Sequence, residues 1–489
     1  MENDGFEAES RRFLSWLREI GVRISPKVRL VDLRSMGRGR GLVADSDIND
    51  GEVLFSIPRG SVLNTKNFLA SNGASSLNLD TEALDSMPSW LALTAIMISE
   101  SSHQDSRWGP YFAILPAQLD SLVFWSNEEL KKLQASAVIN KIGKSDAERL
   151  FSEHLQVSNT TCFNIDLCHK IASVIMAYAF DIPEEQNMDD SIRKECDEDN
   201  EDDLVSDDEE ETKTILSMIP LADMLNADAD RNNARLSSDN EELEMVAIKP
   251  IQRGEEILND YGQLPRSDLL RRYGYVTDRY APYDVTEIST DSIFSFFQSE
   301  ATLKKYGHQE LNALSTSELK KRFDLAEREG VLEDSYDVAH ASADGPCIPD
   351  ELLALIYILL LDDINLKSLL ESESSLPSRS KLAAELAGQV LASILKLREE
   401  SYGTTLEEDE DILKAGNRSH RETMALQVRL GEKRVLREAI EEAKSFHGSN
   451  KRLTLSETAS LNSQTTRVAK QKRVADEDTR KSKKTRHFA

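Results

Sequence analysis

With 489 residues, 39 % of them hydrophobic and 30 % charged, the chain is too long for one core and too apolar to be disordered throughout, so two structured units carrying polar segments are expected. A formal charge of −28 argues against general nucleic-acid binding, because phosphate contacts need a cationic face; it suits a basic protein as partner. Four cysteines (Cys162, Cys168, Cys196, Cys347) without a CxxC pair or a histidine cluster predict free thiols, not a disulfide framework or a zinc site.

The start, Met1-Glu2-Asn3-Asp4, is acidic and lacks a secretory h-region. Phe13, Trp16, Leu17 and Ile20 then share one helical face, which Gly21 stops. From Val28 to Asn64 short β segments alternate with glycines: Gly37-Arg38-Gly39-Arg40-Gly41 is a turn, Leu42-Val43-Ala44 a strand start, and Val53 to Ile57 a buried strand ended by Pro58. Helices are predicted from Ser89 to Glu100 and from Ile165 to Phe180. Between Glu195 and Glu211 twelve of seventeen residues are acidic, which reads as a solvated, disordered insert.

The segment Ile215 to Leu225 is apolar, Leu243 to Ile248 reads as a strand, and a turn at Gly254 leads into a second strand through Ile257-Leu258. Ile48-Asn49-Asp50-Gly51-Glu52 and Ile251-Gln252-Arg253-Gly254-Glu255 echo one another as turn signatures. Beyond about residue 290 the period becomes helical. Leu352 to Leu361, about half a membrane span and bounded by acids, reads as a buried helix. Leu382, Leu386, Val390, Ile394 and Leu397 recur near 3.6 residues, as do Val428, Gly431, Val435 and Ala439, and this helical unit ends near Phe446. The remainder, Lys451 to Ala489, is rich in Ser, Thr, Lys and Arg and reads as a flexible tail. Within it Lys472-Arg473 and Lys481, Lys483, Lys484 and Arg486 have the form of a bipartite nuclear localisation signal, or are simply solvated lysines.

Three remote segments carry candidate chemistry. In Gly39-Arg40-Gly41, glycines let a backbone approach a ligand closely, or merely make a tight turn. In Met218-Ile219-Pro220-Leu221-Ala222-Asp223-Met224-Leu225-Asn226, polar Asp223 and Asn226 interrupt an apolar stretch and need partners, which helix capping can supply. Asn259-Asp260-Tyr261-Gly262 and Arg272-Tyr273-Gly274-Tyr275 place tyrosines after a strand, where core packing is the plain alternative.

Taken in order, GRGRGLVA, MIPLADMLN, GEEILNDYG and LLRRYGYV resemble the motifs of SET-domain lysine methyltransferases, in the branch with a C-terminal helical substrate-binding domain. The resemblance spans residues 10 to 445, and Leu406 to Glu410 with Leu430-Gly431-Glu432-Lys433 is similar to the end of that domain. The LNADAD and RRYGYV wording is similar to the fungal ribosomal-protein lysine methyltransferases, whose animal relatives act on non-ribosomal nuclear proteins.

The resemblance implies an α+β chain. A β-rich SET fold with a helical insert (about 80–210) occupies residues 1–290, an all-α substrate-binding-like domain 291–447, and a flexible basic tail 448–489. It implies S-adenosyl-L-methionine as cofactor, no metal, and a basic protein substrate, ribosomal in the fungal subgroup, encountered in the nucleus. Gly39, Arg40 and Gly41 hold the methionine end by main-chain groups, Tyr178 lies among cofactor and substrate contacts, Asn226 binds the polar end, and Tyr273 packs on adenine. Tyr261 is the catalytic tyrosine, while Asp223 and Trp108, with the Gly109-Pro110-Tyr111 segment that follows, belong to the substrate side. The family usually has histidine where this chain has Ala227. If that position acts through its backbone, alanine serves as well; if the ring supports the tyrosine, activity is in doubt. Ala227 and the acidic insert together leave two alternatives, a catalytically silent SET-fold adaptor and an acidic chaperone for basic nuclear proteins.

The residue types suit methyl transfer. A free lysine of pKa about 10.4 is neutral roughly once in 2,500 molecules at pH 7, equivalent to about 4.6 kcal/mol. Desolvation in a narrow aromatic channel lowers that pKa, and Tyr261 with Tyr273 and Tyr275 supplies the aromatic groups.

Overall fold

A computed structural model describes residues 2–71, 81–117, 119–155, 164–184, 213–239, 242–342, 345–371 and 376–448. The acidic run 195–211, the basic tail, Cys162 and Cys196 lie outside the described residues. Cys168 and Cys347 are buried free thiols, each pushed up to about 11 by burial. The chain divides into two compact units. Residues 1–123 and 143–263 make the first, and residues 124–142 and 264–489 the second. The sequence pattern sets the boundary near 290 instead; the stretch 264–290 joins the second unit because its helix Arg266–Tyr273 packs on the helix His420–Lys444 and its strand Val285–Ser289 pairs with Ser335–Ala339.

In the first unit helix α1 (Glu2–Glu19) buries Phe13, Trp16 and Leu17, and Gly21 ends it at φ +88°, a conformation that costs a side chain but not glycine. Strands β1 (Arg23–Ile24), β2 (Val28–Asp32), β3 (Arg40–Ala44) and β4 (Val53–Pro58) follow. Helix α2 (Ser89–Ser102) is buried on nearly every side, so its turns read as apolar throughout. Helix α3 (Ile165–Tyr178) is shorter than its apolar run. Ala179 turns extended and Phe180 opens β5 (Phe180–Pro183), which pairs antiparallel with β6 (Thr214–Ser217). The acidic run therefore joins two neighbouring strands.

Strands β7 (Ala234–Asp239), β8 (Glu242–Ala247) and β9 (Glu256–Ile257) complete the unit. Besides the β5–β6 pair, two larger sheets result, of order β1-β4-β8-β7 and β2-β3-β9. The two echoed turn signatures pair with each other: Ile48 and Ile251 exchange both main-chain hydrogen bonds at 2.9 Å.

The second unit is helical with one addition to the all-α pattern. Strands β10 (Val285–Ser289) and β11 (Ser335–Ala339) form an antiparallel ribbon, too short to stand out from the surrounding helical periodicity. Its main helices are α4 (Arg266–Tyr273), α5 (Asp350–Leu360), α6 (Glu385–Glu400), α7 (Leu406–Ala415) and α8 (His420–Lys444). Leu352 to Leu359 are all buried in α5, as the acid-bounded apolar run predicts.

Buried ions explain the polar residues of the α8 motif. Asp409 Oδ1 accepts from Arg429 Nη2 at 2.6 Å and Thr404 Oγ1 at 2.7 Å, while Oδ2 takes Lys433 Nζ and Arg429 Nε. Arg266 pairs with Asp284 against the same helix. A Cβ at Gly431 would lie 1.9 Å from Asp284 Oδ2, so only glycine fits there.

Candidate active site

The first of the three candidate segments sits where β2 turns back as β3. Leu33 N–H donates to Gly39 O at 2.9 Å, Gly37 takes φ +73°, and Arg40 and Gly41 return opposite Asp32 and Val31. Gly41 is buried, and a Cβ there would meet Leu33 Cδ1 at 2.5 Å and Asn226 Nδ2 at 3.1 Å. Gly39 is exposed, with nothing within 4 Å of a Cβ position, so the main chain stays open on that side. The Arg40 side chain turns away to α1, where Nη2 bonds Glu9 Oε2 at 3.0 Å and Nη1 bonds Ile114 O at 3.1 Å. Burial lowers its pKa, and Glu9 opposes that shift.

Asn226 closes on this turn. Its Nδ2 donates to Glu256 Oε1 at 2.8 Å and to Arg40 O at 3.4 Å, which fixes the amide orientation. Its Oδ1 is left without a hydrogen bond among the described residues. Arg38 ion-pairs with the same Glu256 carboxylate. The second and third segments are stitched together by main chain: Asn259 N–H donates to Asn226 O at 2.9 Å and Asp228 N–H to Asn259 O at 3.1 Å. Ala227 lies between these bonds, bridged in parallel to Asn259, with its neighbours Asn226 and Asp228 making the two bonds. Buried Asn233 extends the stitch, accepting from Leu258 N–H at 2.8 Å and donating to Glu256 O at 2.9 Å.

Tyr261 follows directly and is half-buried. Its hydroxyl donates to Leu225 O at 3.3 Å, one residue before Asn226. Gly39–Gly41, Asn226 and Tyr261 are thus brought together. Leu221, at φ +79°, holds strained backbone at the start of the short turn that carries Asp223. Asp223 is 4 % exposed: Oδ2 accepts from Tyr111 Oη, and Oδ1 has no partner among the described residues. Burial pushes its pKa up to about 7 against the opposing Tyr111 hydrogen bond, and burial with the Asp223 charge pushes Tyr111 well above its usual value.

The other expected residues divide. Tyr178, half-buried at the end of α3, packs on the core of the first unit and lies electrostatically beside Tyr111. Trp108 corrects the expectation of a substrate-side ring. It is 2 % exposed and packs edge-on against Trp16 at 5.6 Å, in the aromatic core that α1 completes. Tyr273 belongs to the second unit, at the C-terminus of α4, with the Tyr275 ring 6.4 Å away. Sequence reading placed Tyr111 only within the segment after Trp108 and gave no role to Arg38, Asn233 or Glu256. All four act through partners more than 20 residues away.

These residues fit the polar end of an amino-acid ligand. An exposed glycine edge offers main-chain groups, Asn226 Oδ1 is an open acceptor, and the closely packed Gly41 fixes the distance between them.

A SET domain model matches residues 39–262, and a model described as Rubisco LSMT substrate-binding matches residues 314–436. The chain belongs to the SET-domain family of protein-lysine N-methyltransferases, whose methyl donor is S-adenosyl-L-methionine. It is 34 % identical over 375 residues to ribosomal lysine N-methyltransferase 4 of Saccharomyces cerevisiae, covering 73 % of this chain and 72 % of that one. N-lysine methyltransferase setd6 of Xenopus laevis is 28 % identical over 466 residues, 89 % of this chain and 95 % of its own. Among solved structures, the SET domain of LSMT bound to lysine and AdoHcy shares the fold at TM-score 0.64 and 20 % identity, over 90 % of this chain and 91 % of that one.

Proposed function

We propose that this methyltransferase modifies a lysine of a ribosomal protein, with Tyr261 as the catalytic tyrosine and Gly39, Arg40, Gly41 and Asn226 as the donor cradle. The observation that carries the residue assignment is the convergence of Tyr261, Asn226 and the Gly39–Gly41 turn, held by the Asn226–Asn259 and Asn226–Arg40 bonds. The substrate class is supported by the yeast relative's name and by a net charge of −28, which attracts a basic protein.

When bound, S-adenosyl-L-methionine supplies an electrophilic methyl group on a sulfonium. The open Gly39 edge and Asn226 Oδ1 meet the carboxylate and ammonium of its methionine end. In our reading Tyr178 and Asp223 belong to the lysine side. The Tyr261 hydroxyl, which donates to Leu225 O, would accept CH···O contacts from that methyl, each worth about 0.5–1 kcal/mol. That is small, so orientation supplies most of the acceleration. The stitch to Asn259 runs through the main chain of Asn226 and Asp228 on either side of Ala227, which supports reading position 227 as a backbone position.

Labelled methyl transfer into ribosomal extract tests the assignment. Wild type is expected to label a ribosomal protein, and Tyr261→Phe to lower turnover about 100-fold or more without weakening donor binding. Equal transfer by the two proteins removes Tyr261 from the chemistry, and labelling confined to non-ribosomal proteins removes the substrate class. We further propose nuclear residence directed by the basic tail; a fluorescent fusion lacking residues 451–489 is expected to lose it.

A further inference from the structure

We propose that the N-terminal helix is a working part of the methyl-donor site, with Phe6 and Glu9 as positioning residues that clamp both ends of the glycine turn through Arg34 and Arg40. The inference rests on the reading that Gly39–Gly41 and Asn226 receive the donor.

The turn begins at Arg34 and ends at Arg40. The Phe6 ring holds both: the Arg34 guanidinium carbon lies 3.9 Å from its centroid and that of Arg40 lies 3.8 Å away. Two guanidinium groups on one ring repel, and each has its own carboxylate. Asp32 bonds Arg34 through Nε and Nη2, and those hydrogen bonds hold its carboxyl down to about 2; Glu9 bonds Arg40. Arg40 spends its remaining donors on Ser10 Oγ at 3.1 Å, Phe6 O at 3.3 Å and Ile114 O at 3.1 Å. Its side chain is 9 % exposed, an unusual investment for a residue whose expected contribution is main chain.

The clamp connects to the site by one bond. Arg40 O is an acceptor for Asn226 Nδ2, and the next residue is Gly41, against which that amide packs. A shift of Arg40 therefore moves the carbonyl that orients Asn226. The clamp is also separable from the fold. Phe6 is half-buried, whereas α1 is anchored to the core by Phe13, Trp16 and Leu17, about two to three turns further on.

The test measures donor affinity by calorimetry with S-adenosyl-L-methionine, the melting temperature of the donor-free protein, and turnover at saturating donor, all on the full chain. Phe6→Ala is expected to weaken donor affinity about tenfold, with turnover at saturation near wild type and melting lowered by less than about 4 °C. Phe6→Tyr keeps a ring and is expected to bind like wild type; Glu9→Gln is expected to fall between. Leu14→Ala, on the apolar side of the same helix, lowers melting without moving affinity. Wild-type affinity in Phe6→Ala, or a loss that tracks melting and is shared by Leu14→Ala, overturns the proposal. Asn226→Ala separates the two levels. If it weakens binding while Phe6→Ala does not, only the clamp falls; if neither weakens binding, the assignment of the donor site falls and the clamp with it.

Discussion

Asp223 in the first unit and Asp409 in the second are equally hidden from water, at 4 % and 0 % exposure, yet their surroundings differ in kind. Both Asp409 oxygens are occupied by Arg429, Lys433 and Thr404, a closed network in which one carboxylate serves two cations. Asp223 has one oxygen on a tyrosine hydroxyl and one with no described partner, and no cation bonds it. A closed buried network is a structural tie. An open one, placed on the strained turn next to Asn226 and Tyr261, leaves capacity for a ligand or a proton. Asn226, with its own open Oδ1, follows the same pattern.

The same substitution applied to both carboxylates breaks or confirms this contrast. Asp409→Asn leaves two buried cations without their shared counter-ion and is expected to lower unfolding free energy by about 3–5 kcal/mol, read by denaturant titration of the donor-free protein. A loss below about 1 kcal/mol would show that water reaches the cluster. Asp223→Asn has the opposite signature. The folded pKa is raised to about 7 from 3.8, so between these values the folded state holds a proton that the unfolded state has released, and wild-type stability falls as pH rises. Relative to wild type the variant is expected to gain on the order of 1 kcal/mol per pH unit from pH 4 to 7 and nothing further above. Parallel melting profiles across that range would refute the open carboxyl.

A smaller effect sharpens the site itself. Gly41→Ala must displace the Leu33 methyl or the Asn226 amide, and donor affinity is expected to fall about tenfold with roughly 1 kcal/mol of stability lost. Retained affinity would mean that Leu33 alone yields. The smallest effect is expected from deleting residues 195–211. Their flanking strands pair with each other, and shortening a connection between neighbours changes closure entropy by only about 0.6 kcal/mol per halving. Catalytic efficiency on a small peptide is expected to stay within about twofold; a collapse would give the acidic run a role in the fold or the site.

Much of the site was legible because its chemistry resides in residue types with a local signature. Glycines beside a strand, an asparagine inside MIPLADMLN and a tyrosine after ILND are visible in a window of a few residues. Buried α5 and the two long-period helices α6 and α8 were equally plain, since a repeating apolar face needs only its own sequence. Where reading failed, the deciding partner was remote. Phe180 belongs to a strand because Ser217 pairs with it across the acidic run, and Trp108 lies in the core because α1 covers it. Ribbon β10–β11 joins residues about 50 apart, and neither strand alternates strongly enough to announce itself.

The sequence by itself determined the family, the donor and the residues able to do chemistry, because those depend on functional groups in a short, ordered vocabulary. Only the tertiary structure decided which of them meet: that the main chain on either side of Ala227 is stitched to Asn259, that Arg40 turns its side chain to the N-terminal helix, and that Asp223 keeps an open oxygen while Asp409 keeps none. Those outcomes turn on distances of a few ångströms between segments up to two hundred residues apart, and hydrogen bonds and burial energies are set by such distances, not by neighbourhood along the chain.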